Sequence, residues 1–242
     1  MQLAPGVEAI DLGIYLPSHQ TLVFSDFHMG FEHSLNAQGY MLPRTHYKDV
    51  VDRLEHIFAE LKKQKKTVAR VVITGDLKHE FGTILRQEWR DVLRLVDYLL
   101  RRCETLVLIK GNHDVQLGPV AAKSGIKLVP DVRLGDILII HGDDVPTNLK
   151  DIKTIIMGHE HPAIGLRAKG RVEKYKCYLV GPYRKRTLIV QPSAKLMVEG
   201  SDVLKEKQLS PLLEGGVKKF RAFVIDDRKK ELLDFGLIKN LA

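Results

Sequence analysis

Histidine, aspartate and asparagine recur in five short segments of this 242-residue chain, each at the end of an apolar run. The segments are FSDFHMG (24–30), ITGDLKHE (73–80), IKGNHDV (109–115), IIHGDD (139–144) and MGHEHP (157–162). They offer carboxylate and amide oxygens and imidazole nitrogens, without a thiolate, a donor set suited to Mn²⁺, Fe²⁺/Fe³⁺ or Zn²⁺. Asp26 and His28 are two residues apart, as are His159 and His161, so on an extended segment each pair projects from one face. Asp76 follows a glycine, where a carboxylate can bridge two cations. Asn112 adds a neutral amide oxygen, and His141 caps an apolar run. A lone histidine at a strand end is more often a structural hydrogen-bonding group. Here six of the ten histidines (His28, His79, His113, His141, His159, His161) fall inside the motifs, and as a set they point to a metal centre. His19, His33, His46 and His56 lie outside and read as structural or exposed.

A centre scattered from residue 26 to residue 161 needs a fold that gathers it. The runs 22–24, 71–73, 106–109, 137–140 and 155–156 predict buried strands, and open α/β sheets place their sites at the carboxyl ends of strands. Residues 7–16 and 21–25 predict an opening pair of strands joined around Pro17-Ser18. A helix follows Pro43, with Val50, Leu54, Ile57, Phe58 and Leu61 at helical spacing. Its lysine-rich end at 62–66 suits the negative pole of the helix dipole. A second helix, about 84–102, turns Leu85, Trp89, Val92, Val96 and Leu99 to the core. After residue 160 the pattern becomes short strands at 172–180, 186–190, 220–226 and 231–237, with a long irregular connection at 191–216. With no clear linker, 1–242 reads as a single domain: a motif core at 20–165, and C-terminal strands at 166–242 completing a second sheet.

With its motifs in this order, the sequence resembles the calcineurin-like metallophosphoesterase superfamily, whose pattern runs D-x-H, G-D, G-N-H-[DE], H and G-H-x-H. GDLKHEF and GHEHPAI further resemble a predicted prokaryotic phosphoesterase subfamily related to SbcD-type nucleases. The resemblance implies an α/β fold, a two-sheet β-sandwich flanked by helices in four α/β/β/α layers. It implies two divalent metal ions, Mn first, with Fe and Zn as alternatives. One would be held by Asp26, His28, Asp76 and His161, the other by Asp76, Asn112, His141 and His159, with Asp76 bridging. His113 would be the catalytic histidine near the scissile phosphate, assisted by Asp114, with His79 beside the active site. Many relatives carry His-Gly-His where this chain has His141-Gly142-Asp143, which leaves position 143 without an assigned role. The implied reaction is metal-dependent phosphoester hydrolysis, with a general-acid step by His113 worth about 10²–10⁴-fold.

The substrate must be argued from outside the motifs. Net charge is +8, from 38 basic and 30 acidic residues, which favours polyanionic partners. Residues 167–186 carry eight basic residues and one acidic, interleaved with Tyr175, Tyr178 and Tyr183. Cations track phosphates, and aromatic faces stack on unpaired bases. The first reading is therefore a nuclease acting on DNA in repair or recombination, with repair proteins as partners. The alternatives are a phosphodiesterase or phosphatase acting on nucleotides or other small metabolites, and a non-catalytic scaffold of the same fold. Only Cys103 and Cys177 are present, too few for a disulfide scaffold or a thiolate zinc site. The N-terminus shows no basic-then-apolar signal pattern, and no apolar stretch nears the roughly 18 residues that span a bilayer. The expected compartment is the reducing cytoplasm, with no membrane partner.

Overall fold

The apolar runs become the central strands of two β-sheets packed face to face. The computed structural model describes residues 1–80, 86–114, 117–168 and 170–241. In the first sheet, β1 (Gln2–Ala4), β2 (Val7–Ile10), β3 (Gly13–Leu16) and β4 (Thr21–Phe24) form an antiparallel meander. Strand β4 then pairs in parallel with β5 (Arg70–Ile73), β5 with β6 (Thr105–Ile109), and β6 with β7 (Lys127–Val129). The segment 7–16 is thus two strands, not one. Asp11 turns the chain between them at φ +53°, inside an apolar run that gives little turn signal.

Among the described residues four helices accompany this sheet: α1 (Phe31–Ala37), α2 (His46–Lys63), α3 (Arg86–Leu100) and α4 (Gly118–Ser124). Helix α2 buries Val50, Leu54, Ile57 and Leu61, with Phe58 packed beside them, in the core that also holds β4–β6. Helix α3 buries Val92, Leu95, Val96 and Leu99 there, with Trp89 partly buried. Residues 84 and 85, and with them Leu85, lie outside the described residues.

The second sheet comprises β8 (Val132–Leu134), β9 (Ile137–Ile140), β10 (Thr154–Met157), β11 (Pro162–Ala168), β12 (Arg171–Tyr183), β13 (Arg186–Val190), β14 (Ser201–Asp202), β15 (Arg221–Asp226) and β16 (Glu231–Leu237). Strands β9, β10 and β13 are mutually parallel, and the other pairings are antiparallel except β11 with β14. The four late strands match the sequence reading closely. Strand β11 was not foreseen, because it continues directly from the fifth motif with no intervening turn signal. Its strands alternate strictly: Ile139, Ile156, Tyr178 and Ile189 face the core shared with the first sheet, while Leu138, Ile155, Cys177 and Leu188 face a second core. That second core is covered by 3-10 turns and irregular chain carrying Leu212, Leu213, Val217 and Ile238, which supply the fourth layer.

Two buried polar contacts bind the layers. Arg53 of α2 meets both carboxylate oxygens of Asp11 and reaches Asp227 after β15 at 2.6 Å. Tyr178, fully buried on β12, donates to the carbonyls of Asp11 (2.8 Å) and Gly13 (3.1 Å) in the first sheet. Tyr178→Phe strips a donor from these buried carbonyls and should cost about 1–3 kcal/mol in urea unfolding. An unchanged midpoint would contradict this role.

Candidate metal centre

Strands β4, β5 and β6 of the first sheet and β9 and β10 of the second present their carboxyl ends to one edge of the sandwich, and the five motifs are the loops leaving those ends. The parallel strand β13 adds a sixth loop. In it, Gln191 is fully buried and donates to the carbonyls of Leu12 (2.8 Å) and Val23 (2.9 Å), stitching the second sheet to the first. Ala194 N–H donates to Ser25 O at 2.9 Å and Lys195 N–H to Asp26 O at 3.1 Å.

Asp26 (φ +33°), His28 (+47°), Asp76 (+49°), His159 (+65°) and His161 (+49°) all have left-handed backbones. They are five of the eleven non-glycine residues so placed among the described residues, so this costly conformation is concentrated at the site. It also corrects the sequence reading of Asp26 with His28, and of His159 with His161, as neighbours on one face of an extended segment. Tight turns aim these side chains.

All seven predicted ligands converge. One ligand atom from each of Asp26, His28 and His161 lies within 4.8 Å of the other two, and likewise for Asp76, His141 and His159. Asp76 Oδ2 faces both groups, 3.8 Å from His28 Nε2 and 3.6 Å from His141 Nε2. Asn112 Oδ1 is 3.0 Å from His141 Nε2.

The chemistry of these donors tests what belongs between them. His141 Nδ1 lies 2.8 Å from the carbonyl of Thr74, which only accepts, so Nδ1 carries the hydrogen. In the neutral ring Nε2 then turns a lone pair toward an amide oxygen and toward His159 Nδ1 at 3.1 Å. Asp26 and Asp76 are 0% and 2% exposed. Burial, then the charge of Asp26, pushes the Asp76 carboxyl up to about 8. Burial opposes the Asp26 anion too, but His161, His141 and the His159 N–H hold it below the usual carboxylate range. Burial disfavours the His141 cation, which Asp26 and Asp76 nonetheless raise above the ordinary histidine value. Lone pairs and carboxylates converging out of water are what divalent cations neutralise, and the N/O donors fit the metals expected from sequence.

His113 sits beside this cluster. Its N–H donates to Asp76 Oδ1 at 2.9 Å, its Nδ1 donates to the carbonyl of His79, and its Nε2 is 3.9 Å from Asp76 Oδ2. His79 does lie beside His113, and it is the main-chain oxygen of His79, not its imidazole, that makes the bond. The two rings stack at 5.7 Å, and burial lowers His79 to about 4, which keeps it neutral at pH 7. The oxygens of Asp114 accept from Gly111 N–H and Leu77 N–H, both at 3.1 Å, so this carboxylate closes the loop onto the neighbouring motif. Burial raises it to about 6.

Several residues of the site escape sequence reasoning. Ser25 donates to Asp26 Oδ2, and Glu160 accepts from Leu209 N–H and Ser210 N–H at 2.9 Å, pinning the outer cover to the fifth motif. Both lie inside motifs, which was their signal. Lys195 had none: it is 7% exposed, with Nζ 3.2 Å from the Phe31 ring centroid, and burial lowers it to about 8.

The basic stretch 167–186 does not form one surface. Lys176 pairs with Ala163 near the site, whereas Thr187 pairs with Thr154 at the start of β10, so the 183–186 turn lies at the opposite end of the sheet. Lys174 is paired with Glu206 at 2.9 Å, Arg186 donates to Leu149 O at 2.7 Å, and Tyr178 is core, closed to any base. Lys169 lies outside the described residues. A cleft of about 960 Å³ opens instead beside Asn112 and His141, lined also by Lys110, Arg133, Asp143 and Asp144.

Residues 19–200 match the family described as calcineurin-like phosphoesterase. The chain belongs to that family. It is therefore a metal-dependent phosphoesterase, a hydrolase of ester bonds. A nuclease from Pseudomonas putida, MPE, is similar over 93% of this phosphoesterase and 92% of that chain, at TM-score 0.62 and 19% identity, a likeness of fold. A protein of unknown function from Aquifex aeolicus (62% and 81% covered, 16% identity, TM-score 0.35) and a predicted phosphoesterase from Streptococcus pneumoniae (86% and 83%, 15%, 0.29) are more distant. No curated protein matches significantly. No helix among the described residues is long and apolar enough to cross a membrane.

A β-carbon at Gly111 would collide with Asp76 Oδ1 and its backbone nitrogen. Gly111→Ala should weaken Mn²⁺ binding about 10–100-fold in equilibrium dialysis while leaving the circular dichroism spectrum intact. Unaltered affinity would show that the phosphoesterase tolerates a displaced Asp76.

Proposed function

We propose that this phosphoesterase is a dinuclear phosphodiesterase that cleaves DNA. The carrying observation is Asp76 Oδ2, which faces His28 Nε2 at 3.8 Å and His141 Nε2 at 3.6 Å. Asp26, His28, Asp76 and His161 would hold one cation, and Asp76, Asn112, His141 and His159 the other, with Mn²⁺ first among the candidates. Bound there, such cations would supply charge stabilisation for a phosphate and a water of lowered pKa as the nucleophile. His113, its Nδ1–H fixed by the His79 carbonyl, keeps Nε2 directed at the centre; in the doubly protonated ring, which burial disfavours and an anionic phosphoester would favour, Nε2–H would donate its proton to the leaving alkoxide. Asp114 acts as a positioning residue that holds the His113 loop. Buried Lys195 adds positive field on the His28 and His79 side, which favours an anionic substrate.

DNA is supported by the net charge of +8 and by the fold shared with the Pseudomonas putida nuclease, and a repair or recombination setting with repair-protein partners belongs to the same reading. A reducing, cytoplasmic compartment is supported by two free cysteines, Cys103 and Cys177. A second reading, hydrolysis of nucleotides or other small phosphoesters, is favoured by the dispersal of the basic stretch and by the mixed charge of the cleft beside Asn112.

Turnover of bis- and mono-nitrophenyl phosphate should be compared with that of labelled single- and double-stranded DNA in Mn²⁺. Diester and DNA cleavage should dominate, and DNA cleavage should fall steeply with salt. Robust monoester cleavage without DNA degradation would replace the first reading with the second. In the same assay Asp76→Asn should lose orders of magnitude. His113→Ala should lose about 10²–10⁴-fold while keeping both metals, and metal loss in that variant would reassign His113 to the ligand set.

A further inference from the structure

A second cluster of carboxylate and imidazole side chains lies outside the centre. Glu32 and His33 stand on α1, and Asp91 stands on α3. One ligand atom from each lies within 4.8 Å of the other two. All three are withdrawn from water, at 2%, 9% and 3% exposure respectively. Glu32 Oε2 and His33 Nε2 are buried without a hydrogen-bond partner among the described residues. Buried polar atoms are normally satisfied, and a pair left over beside a carboxylate asks for a ligand.

We propose that Glu32, His33 and Asp91 form a separate divalent-cation site bridging α1 and α3. Two carboxylates and one imidazole suit Zn²⁺ or Mn²⁺, with water completing the coordination. Asp91 is oriented for this by the Gln87 side-chain amide, which donates to its oxygens at 3.2 and 3.0 Å. Arg94 also touches Asp91 Oδ1 at 3.4 Å, and the charges of Arg44 and Asp49 act on Glu32 from the side of α2. Arg44 is exposed, and the half-exposed Arg94 guanidinium also lies over the Tyr47 ring at 3.8 Å.

The position gives such a cation a role. Helix α1 leaves the loop that carries Asp26 and His28. One turn before Asp91, Glu88 accepts from the N–H groups of His79 (2.8 Å) and Glu80 (2.9 Å). A cation joining α1 to α3 therefore braces Phe31 against His79, whose rings meet edge to face at 4.8 Å. It would act as a structural clamp on that flank of the centre and would take no part in the chemistry.

Equilibrium dialysis of the chelator-stripped full chain against Zn²⁺, with metal counted by mass spectrometry, tests the site. Wild type should bind one equivalent more than His33→Ala and one more than Glu32→Gln. That equivalent should persist in Asp76→Asn. Equal stoichiometry in wild type and both variants would overturn the proposal. An anomalous map from Zn²⁺-soaked wild-type crystals needs no variant. A peak between Glu32, His33 and Asp91 is expected, and its absence while the main centre fills would also overturn the proposal. The two readings fail separately, since loss of the dinuclear centre leaves the difference between wild type and His33→Ala intact.

Discussion

Two carboxylates buried where two sheets meet are the constraint on which the rest of this structure depends. Asp26 and Asp76 have almost no contact with water, and His141 beside them turns its Nε2 lone pair inward. Such an arrangement is unstable alone, because ions in a low-dielectric interior lose their hydration and like charges repel. The protein meets part of this cost with Ser25 Oγ and with the N–H groups of His159 and His113, each donating to a carboxylate. Divalent cations would neutralise the remainder, so metal affinity and the order of this edge of the sandwich are coupled.

That constraint explains why the loops are built as they are. Five of the proposed ligand residues occupy left-handed backbone, which persists only where the surroundings over-determine it. Here the surroundings are cross-sheet bonds: Gln191 to Val23, His141 to Thr74, and Ala194 to Ser25. Glycines make room for the charges. A side chain at Gly111 would strike Asp76, and one at Gly158 would strike Asp26, Ser25 and Thr74. The strands thus bring the donors near, and close backbone approach sets their final positions.

Much of this was legible because the chemistry is local in sequence. Each proposed ligand sits within a few residues of a strand end, and β-branched runs announce those ends. The two long helices declared themselves by apolar spacing, and the late strands lay where short apolar runs between turns put them. What was hidden depends on tertiary contact. The turn at Asp11 is stabilised by Arg53 and Tyr178, which lie far along the chain. Lys195 reaches the site from an irregular connection because β13 happens to run parallel to β10. The length of β12 and the direction of β13 divide the basic stretch between opposite ends of one sheet, which a charge count over 167–186 does not reveal. For His79 the neighbourhood was readable but the contacting atom was not, since a main-chain oxygen makes the bond.

The central claim is that Asp76 joins two cation sites into one centre. Electron paramagnetic resonance of the metal-stripped protein titrated with Mn²⁺ tests it most directly. A bridging carboxylate predicts a spin-coupled dinuclear spectrum growing in up to two equivalents. It should collapse to uncoupled signals in Asp76→Asn. Uncoupled mononuclear Mn²⁺ throughout the wild-type titration would contradict the account.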